Sequence, residues 1–131
     1  MDLKNQIQNR EIKFRGFSEE LKCFVYGFYH EVEAEGVGYS YIFFQGHTTP
    51  VRADSVAQFI GLKDQNGEEV YEGDVLELNN CGLLIVCFYK GEFKLQKLAE
   101  YHKKRNLYAS ISYLEFSVLR GNIYENTELL Q

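Results

Sequence analysis

Six basic side chains fall within residues 90–105: Lys90, Lys94, Lys97, Lys103, Lys104 and Arg105, against only Glu92 and Glu100. Tyr101 lies among them and Tyr108 borders them. Cationic and aromatic side chains together suit a single nucleic-acid strand, because charge holds the phosphates and rings stack on the bases. Lys97, Tyr101, Lys103, Lys104 and Arg105 are therefore the candidate binding residues. A short surface helix with its charged face in water and its tyrosines packed inward accounts for the same residues more simply.

Other chemistry has less to work with. His30, His47 and His102 are far apart, and neither a His-x-x-x-His nor a Cys-x-x-Cys spacing occurs. Cys81 and Cys87 share a strand face but sit at its opposite ends, so no metal and no cofactor is expected. There is no Gly-x-Ser-x-Gly elbow, and Gly36-Val37-Gly38 lacks both a third glycine and a following Gly-Lys-Ser or Gly-Lys-Thr. Glu31, Glu33 and Glu35 would line one outward strand face. Asp64, Glu68, Glu69, Glu72 and Asp74 crowd two turns, where Asp binds its own backbone. Paired-carboxylate catalysis needs a cleft and a shifted pKa, and the sequence supplies neither. No catalytic residue is assigned, and the chain is expected not to be an enzyme.

These residues are carried by 131 residues, enough for one compact domain with a core of its own. Fourteen Lys and Arg against nineteen Asp and Glu give a net charge of −5, which disfavours a protein that coats phosphates generally. That charge is a sum of unlike parts: −7 over residues 1–80 and +2 after them. Ten Phe, ten Tyr, no Trp, one Pro and eleven Gly describe an aromatic chain punctuated by glycine, which leans to β-structure. No apolar run reaches the roughly twenty residues of a membrane helix, and the polar start has no secretory h-region. Three cysteines cannot all pair, which points to free thiols in a cytoplasmic protein.

The expected elements follow from periodicity. Residues 1–9 read as a polar arm ahead of a single β domain over residues 10–131. A strand is expected from Glu11, then a helical turn at Ser18-Glu19-Glu20-Leu21. Residues 23–32 and 39–45 form a hairpin around Gly36 and Gly38. Phe24, Tyr26 and Phe28 alternate along one of its strands and Tyr39, Tyr41 and Phe43 along the other. If Tyr29 and Phe44 then make the opposite face aromatic too, one face must be covered by another element or a partner chain. Residues 46–50 read as a loop because of Pro50. Asn66-Gly67 is a tight hairpin turn, since both residues tolerate the left-handed region such a turn requires, and Gly73-Asp74 aims the chain into the next strand. Further strands run to Gln96, one helix covers residues 97–106, and residues 110–119 are helical or extended. Asn126 caps a last helical turn. Short strands with turns every eight to twelve residues describe a mainly β fold, a small antiparallel barrel-like sheet with one or two short helices.

Three stretches together resemble the YopX family of small proteins from phages and prophages of low-GC Gram-positive bacteria. They are Arg10-Glu11-Ile12-Lys13-Phe14-Arg15-Gly16-Phe17, the stretch Phe59-Ile60-Gly61-Leu62-Lys63-Asp64-Gln65-Asn66-Gly67-Glu68-Glu69-Val70-Tyr71-Glu72-Gly73-Asp74-Val75, and Gly121-Asn122-Ile123-Tyr124-Glu125-Asn126-Thr127-Glu128-Leu129-Leu130. Thr127 stands where the family often has proline, and either residue can begin a helical turn. The resemblance implies a phage-encoded, mostly β protein acting in the bacterial cytoplasm, and it lends no reaction. The quoted residues read as turns and core: Asn66, Gly67, Gly73, Asp74 and Asn126 shape the chain, while Val70, Tyr71, Val75, Leu76, Ile123 and Tyr124 pack.

A non-enzymatic protein-binding or regulatory module is the leading expectation, with a phage or host protein as partner. A nucleic-acid accessory protein using residues 90–105 is the alternative. Pairing with a second copy through the aromatic faces is a separate expectation. No membrane contact is expected.

Overall fold

The computed structural model describes residues 10–79 and 81–130. The expected polar arm, residues 1–9, lies outside them. Ten strands form two antiparallel sheets, without a closed barrel among the described residues. Sheet one has the order β4-β3-β2-β1-β5-β6 and sheet two the order β10-β7-β8-β9. The strands of sheet one are β1 (Phe14–Ser18), β2 (Cys23–Ala34), β3 (Val37–Phe44), β4 (His47–Val51), β5 (Ala57–Lys63) and β6 (Glu69–Tyr71). Those of sheet two are β7 (Asp74–Leu78), β8 (Gly82–Tyr89), β9 (Glu92–Lys97) and β10 (Ser117–Asn122). One short helix, α1 (Leu98–His102), follows β9.

Three hairpins close in the same way. Ala34 faces Val37, Phe44 faces His47 and Tyr89 faces Glu92, leaving two-residue turns Glu35-Gly36, Gln45-Gly46 and Lys90-Gly91. All six turn residues have positive φ, from 49° to 84°. That backbone twist matches the right-handed twist of the flanking strands, and the glycine makes its second position free of strain. Glu35 therefore sits in a turn and not on the strand face with Glu31 and Glu33.

Several expectations are corrected. β1 begins at Phe14, and Ile12 is exposed. Residues 19–22 form a hairpin loop, held where Ser18 Oγ accepts the Leu21 N–H at 3.0 Å, and not a helical turn. The Pro50 segment is a strand, because β4 is the outer edge of its sheet and an edge tolerates a missing donor. Asn66 does not adopt a left-handed conformation; only Gly67 does, at φ 82°. Asp64 organises that loop instead, its Oδ1 accepting the N–H groups of Asn66 and Glu68 at 2.9 and 2.8 Å. The helix covers five residues rather than ten, ending where Lys104 turns left-handed at φ 56°. Residues 110–119 satisfy both readings in succession, a 3-10 turn over Ile111–Phe116 and then β10.

The main core joins the two sheets. Val70 of β6 packs with Leu76, Leu84, Val86 and Leu95 of sheet two and with Leu114 of the 3-10 turn. Tyr71 and Val75 are buried as expected, while Ile123 and Tyr124 are half-buried. Between β6 and β7 the chain changes sheets within two residues, Glu72 and Gly73. Gly73 at φ 87° makes that corner, donating its N–H to Val86 O and accepting from Ile123 N–H.

Candidate functional site

The three stretches quoted above meet at the junction of the sheets. Arg15 leaves β1 and places Nη2 2.8 Å from Asp74 Oδ1 at the start of β7. Both side chains are buried, 7% and 2% exposed. The guanidinium lies over the rings of Phe24, at 4.6 Å, and Tyr71, at 4.9 Å. The second Asp74 oxygen accepts the Tyr71 N–H at 2.8 Å. Burial pushes the Asp74 carboxyl above its ordinary value, and Arg15 and that N–H only partly offset it. Asp74 thus does more than aim the chain: it ties the sheets together.

Asn122, from the third stretch, lines the same 330 Å3 cleft as Arg15, Tyr26, Tyr71 and Asp74. Its side-chain oxygen accepts the Tyr124 and Glu125 N–H groups at 2.9 and 2.6 Å. Asn126 was expected to cap the turn after it. Its Oδ1 instead reaches back to the Asn122 N–H, 3.1 Å away, and fixes the corner at Gly121, where any Cβ would lie 2.5 Å from that oxygen. The three stretches therefore build a clamp. The Tyr71 hydroxyl and Arg15 Nε are buried without a partner among the described residues, and burial lifts the Tyr71 phenol to about 12. A donor and an acid held this way suit packing better than proton transfer near neutrality.

The basic segment is dispersed by its fold. Lys97 precedes α1, Lys103 ends it, and Lys104 and Arg105 lie on the return. Lys97, Lys103 and Lys104 are exposed and make no ion pair among the described residues. Arg105 approaches Glu100 at 3.7 Å, and its carbonyl accepts from the Gln96 side chain. Tyr101 lines a second cavity of 330 Å3 with Cys87, Phe88 and Tyr124. Glu72 lines this cavity too, and burial raises its carboxyl. Cys87 is pushed up to about 11 by burial, as a small half-buried hydrophobe should be. The aromatic partner of the lysines is elsewhere: Tyr89 and Tyr108 stack with ring centres 4.5 Å apart, and Lys90 lies over Tyr89 at 5.5 Å.

A third surface is the upper part of the β2–β3 hairpin. β2 is divided between neighbours: β1 pairs with residues 23–27 and β3 with residues 28–34. Residues two apart on a strand share a face, so Phe24, Tyr26, Phe28, His30 and Val32 point the same way. At its lower end that face is partly covered: Phe24 is half-buried 5.6 Å from Tyr124, while Tyr26, 5.5 Å from Tyr71, is exposed. Beyond Tyr26 the same face runs on uncovered. Phe28 opposes Phe43, His30 opposes Tyr41 and Val32 opposes Tyr39. Phe28, Tyr39 and Phe43 are 61%, 47% and 43% exposed. Neither a carboxylate nor a Lys or Arg lies on this stretch; Glu31 and Glu33 point to the opposite face with Tyr29. The sequence pattern placed these aromatics together, but it did not show where the cover stops.

Among the described residues no group of three or more His, Cys, Asp or Glu could hold a metal ion, and no helix is long and apolar enough to cross a membrane.

The model of the family described as YopX protein matches residues 13–131. No curated protein matches the chain. Among solved structures the chain is similar to the crystal structure of protein EF1440 from Enterococcus faecalis. The two are 20% identical with a TM-score of 0.55, over 94% of this chain and 100% of that one. At that identity the likeness concerns the fold.

Proposed function

The chain belongs to the YopX family, and on that footing we propose that it is a phage-encoded, non-enzymatic protein-binding module that works in the bacterial cytoplasm. The observation that carries this reading is the aromatic face of the upper β2–β3 hairpin. It continues the face on which Phe24 packs against Tyr124 lower down, and it exposes Phe28 opposite Phe43, with Tyr39 further along β3. Contiguous exposed apolar area rimmed by charge is what protein partners dry and bury, with aromatics as anchors. Its partner is a phage or host protein. The test is capture from host extract by the native protein and by a Phe28→Ser/Phe43→Thr variant. A protein retained by the first and lost by the second is expected; equal retention by both, or turnover of any substrate, overturns the reading.

One observation favours a second reading, a nucleic-acid accessory protein. The Tyr89–Tyr108 stack with Lys90 above it and Lys94 nearby is a small cationic and aromatic surface at the turn end of the β8–β9 hairpin, with Lys97 at the far end of β9. It requires single-strand DNA binding that weakens steeply with salt and falls on Lys90→Ala/Lys94→Ala substitution. No binding at low salt removes it.

A further inference from the structure

We propose that the free edge of β2 beside the aromatic face takes an extended protein segment as an added strand, one that alternates basic with apolar residues. This rests on the protein-binding reading and names the partner's chemistry.

The edges of the two sheets are unequally guarded. β4 is five residues long and carries Pro50. β6 has only three residues. The outer side of β10 is closed by the Asp64 loop: the Gln65 N–H bonds Ser117 O at 2.9 Å and Asp64 Oδ2 accepts the Leu119 N–H at 2.8 Å. β9 is bridged by Ala109, which exchanges two bonds with Leu95. Short strands, proline, covering loops and charged side chains are the usual protections of an edge. Among the described residues β2 has only the last of them above Gly27, in Glu31 and Glu33. Its pairing with β1 stops at Gly27, and among the described residues no strand lies beside residues 29–34 on that side.

The register says which groups are free. The two-residue turn makes Ala34 and Val37 a hydrogen-bonded pair, so by alternation Val32, His30 and Phe28 also bond to β3. The N–H and C=O groups of Tyr29, Glu31 and Glu33 then point to the open side. They form a row of three donors and three acceptors, the template on which a strand is added.

Charge selects the strand. On the face bearing Glu31 and Glu33, residues of an added strand come to lie directly opposite these carboxylates, where like charges repel and opposite charges attract. A second copy of β2 would set glutamate near glutamate on a chain whose net charge is already −5. A segment with Lys or Arg at every second position would instead pair with them. Its intervening apolar side chains would extend the stripe of Phe28 and Val32. The cationic positions and the apolar face thus impose the same period of two.

The test uses the whole protein and capped, fluorescein-labelled heptapeptides: one alternating Lys with Val, one alternating Glu with Val, and the Lys peptide N-methylated at every second amide. Expected are at least tenfold tighter binding of the Lys peptide than of either other, and slowed hydrogen exchange at the Tyr29, Glu31 and Glu33 amides. In a Glu31→Lys/Glu33→Lys variant the preference between the Lys and Glu peptides reverses. Equal binding of the methylated and unmethylated Lys peptides would mean charge attraction alone and overturn the proposal. So would the absence of binding at millimolar peptide, or a native dimer protected at those same three amides. If host-protein capture needs Phe28 and Phe43 but is untouched by the Glu31→Lys/Glu33→Lys change, the edge proposal falls while the protein-binding reading stands.

Discussion

Arg15 Nη2 and Asp74 Oδ1 lie 2.8 Å apart across the junction of the two sheets, with both side chains almost wholly buried. A buried pair gains little over apolar packing, yet a single deletion strands the other charge. Arg15→Met should cost about 3–5 kcal/mol in urea unfolding. Adding Asp74→Asn to that variant should return at least half of the loss, because the remaining amide still accepts the Tyr71 N–H. A loss below about 1 kcal/mol for Arg15→Met would mean that the sheets hold together without the clamp.

The loop between β5 and β6 separates a sequence signal from the residue that acts on it. Asp64 accepts three backbone N–H groups, from Asn66, Glu68 and Leu119. Asp64→Ala leaves these donors without their acceptor in a part-buried loop and should cost about 2–4 kcal/mol, at 1–3 kcal/mol for a group that water cannot reach and less for the exposed Asn66 and Glu68. Asn66→Ala should stay within about 0.5 kcal/mol, since Asn66 does not occupy the left-handed region. Equal costs at the two positions would refute this division of labour.

Glu72 gives a pH dependence of known sign. Burial raises its carboxyl above the ordinary 4.5, so the folded protein holds this proton more tightly than the unfolded chain. Stability then falls as pH rises from 4.5 through the raised value, and stays lowered above it. Asp74 contributes in the same direction from its ordinary 3.8. Glu72→Gln removes one of the two contributions. It should raise the melting temperature at pH 7 and leave it nearly unchanged below pH 4. A variant that melts lower at pH 7 would show that the carboxylate, and not its proton, suits the site.

How much was legible depended on whether the cause was local. Alternation and X-Gly pairs read the β2–β3 and β8–β9 hairpins, because a two-residue turn needs its glycine wherever the strands go. They missed the Gln45-Gly46 hairpin and the loop between β1 and β2. The length of β2 followed less well: Ala34 belongs to the strand only because Val37 faces it. Proline hid β4, since a lone Pro50 stops a central strand but not an edge, and edge position is a property of the whole sheet. The Arg15–Asp74 clamp was out of reach, as its partners are fifty-nine positions apart and meet only through the sheet junction. The same holds for the candidate sites. The basic residues were found as a run, but a run says nothing of direction, and the fold sends Tyr101 to a cavity while Tyr108 stacks on Tyr89. The aromatic ladder was visible as a pattern of period two, and the register adds that its upper part is left bare.

Gly27 decides where that bare part begins. It is the last β2 residue paired to β1, and a Cβ built there would sit 2.2 Å from the Phe43 carbonyl oxygen. Backbone cannot yield there without spoiling the Phe28–Phe43 pairing that follows, so the close approach of β3 requires glycine at this position. Gly36, by contrast, has open space around its missing side chain and only a left-handed φ of 79° to keep. Gly36→Ala should cost about 1 kcal/mol, the strain of that conformation. Gly27→Ala should cost at least about 2 kcal/mol more, within the range for steric overlap in a packed site. It should also speed exchange of the Phe28, His30 and Val32 amides, which bond to β3, ahead of sheet two. Matching costs at the two glycines, or exchange that quickens uniformly, would show that the hairpin does not depend on this contact to hold its aromatic face in place.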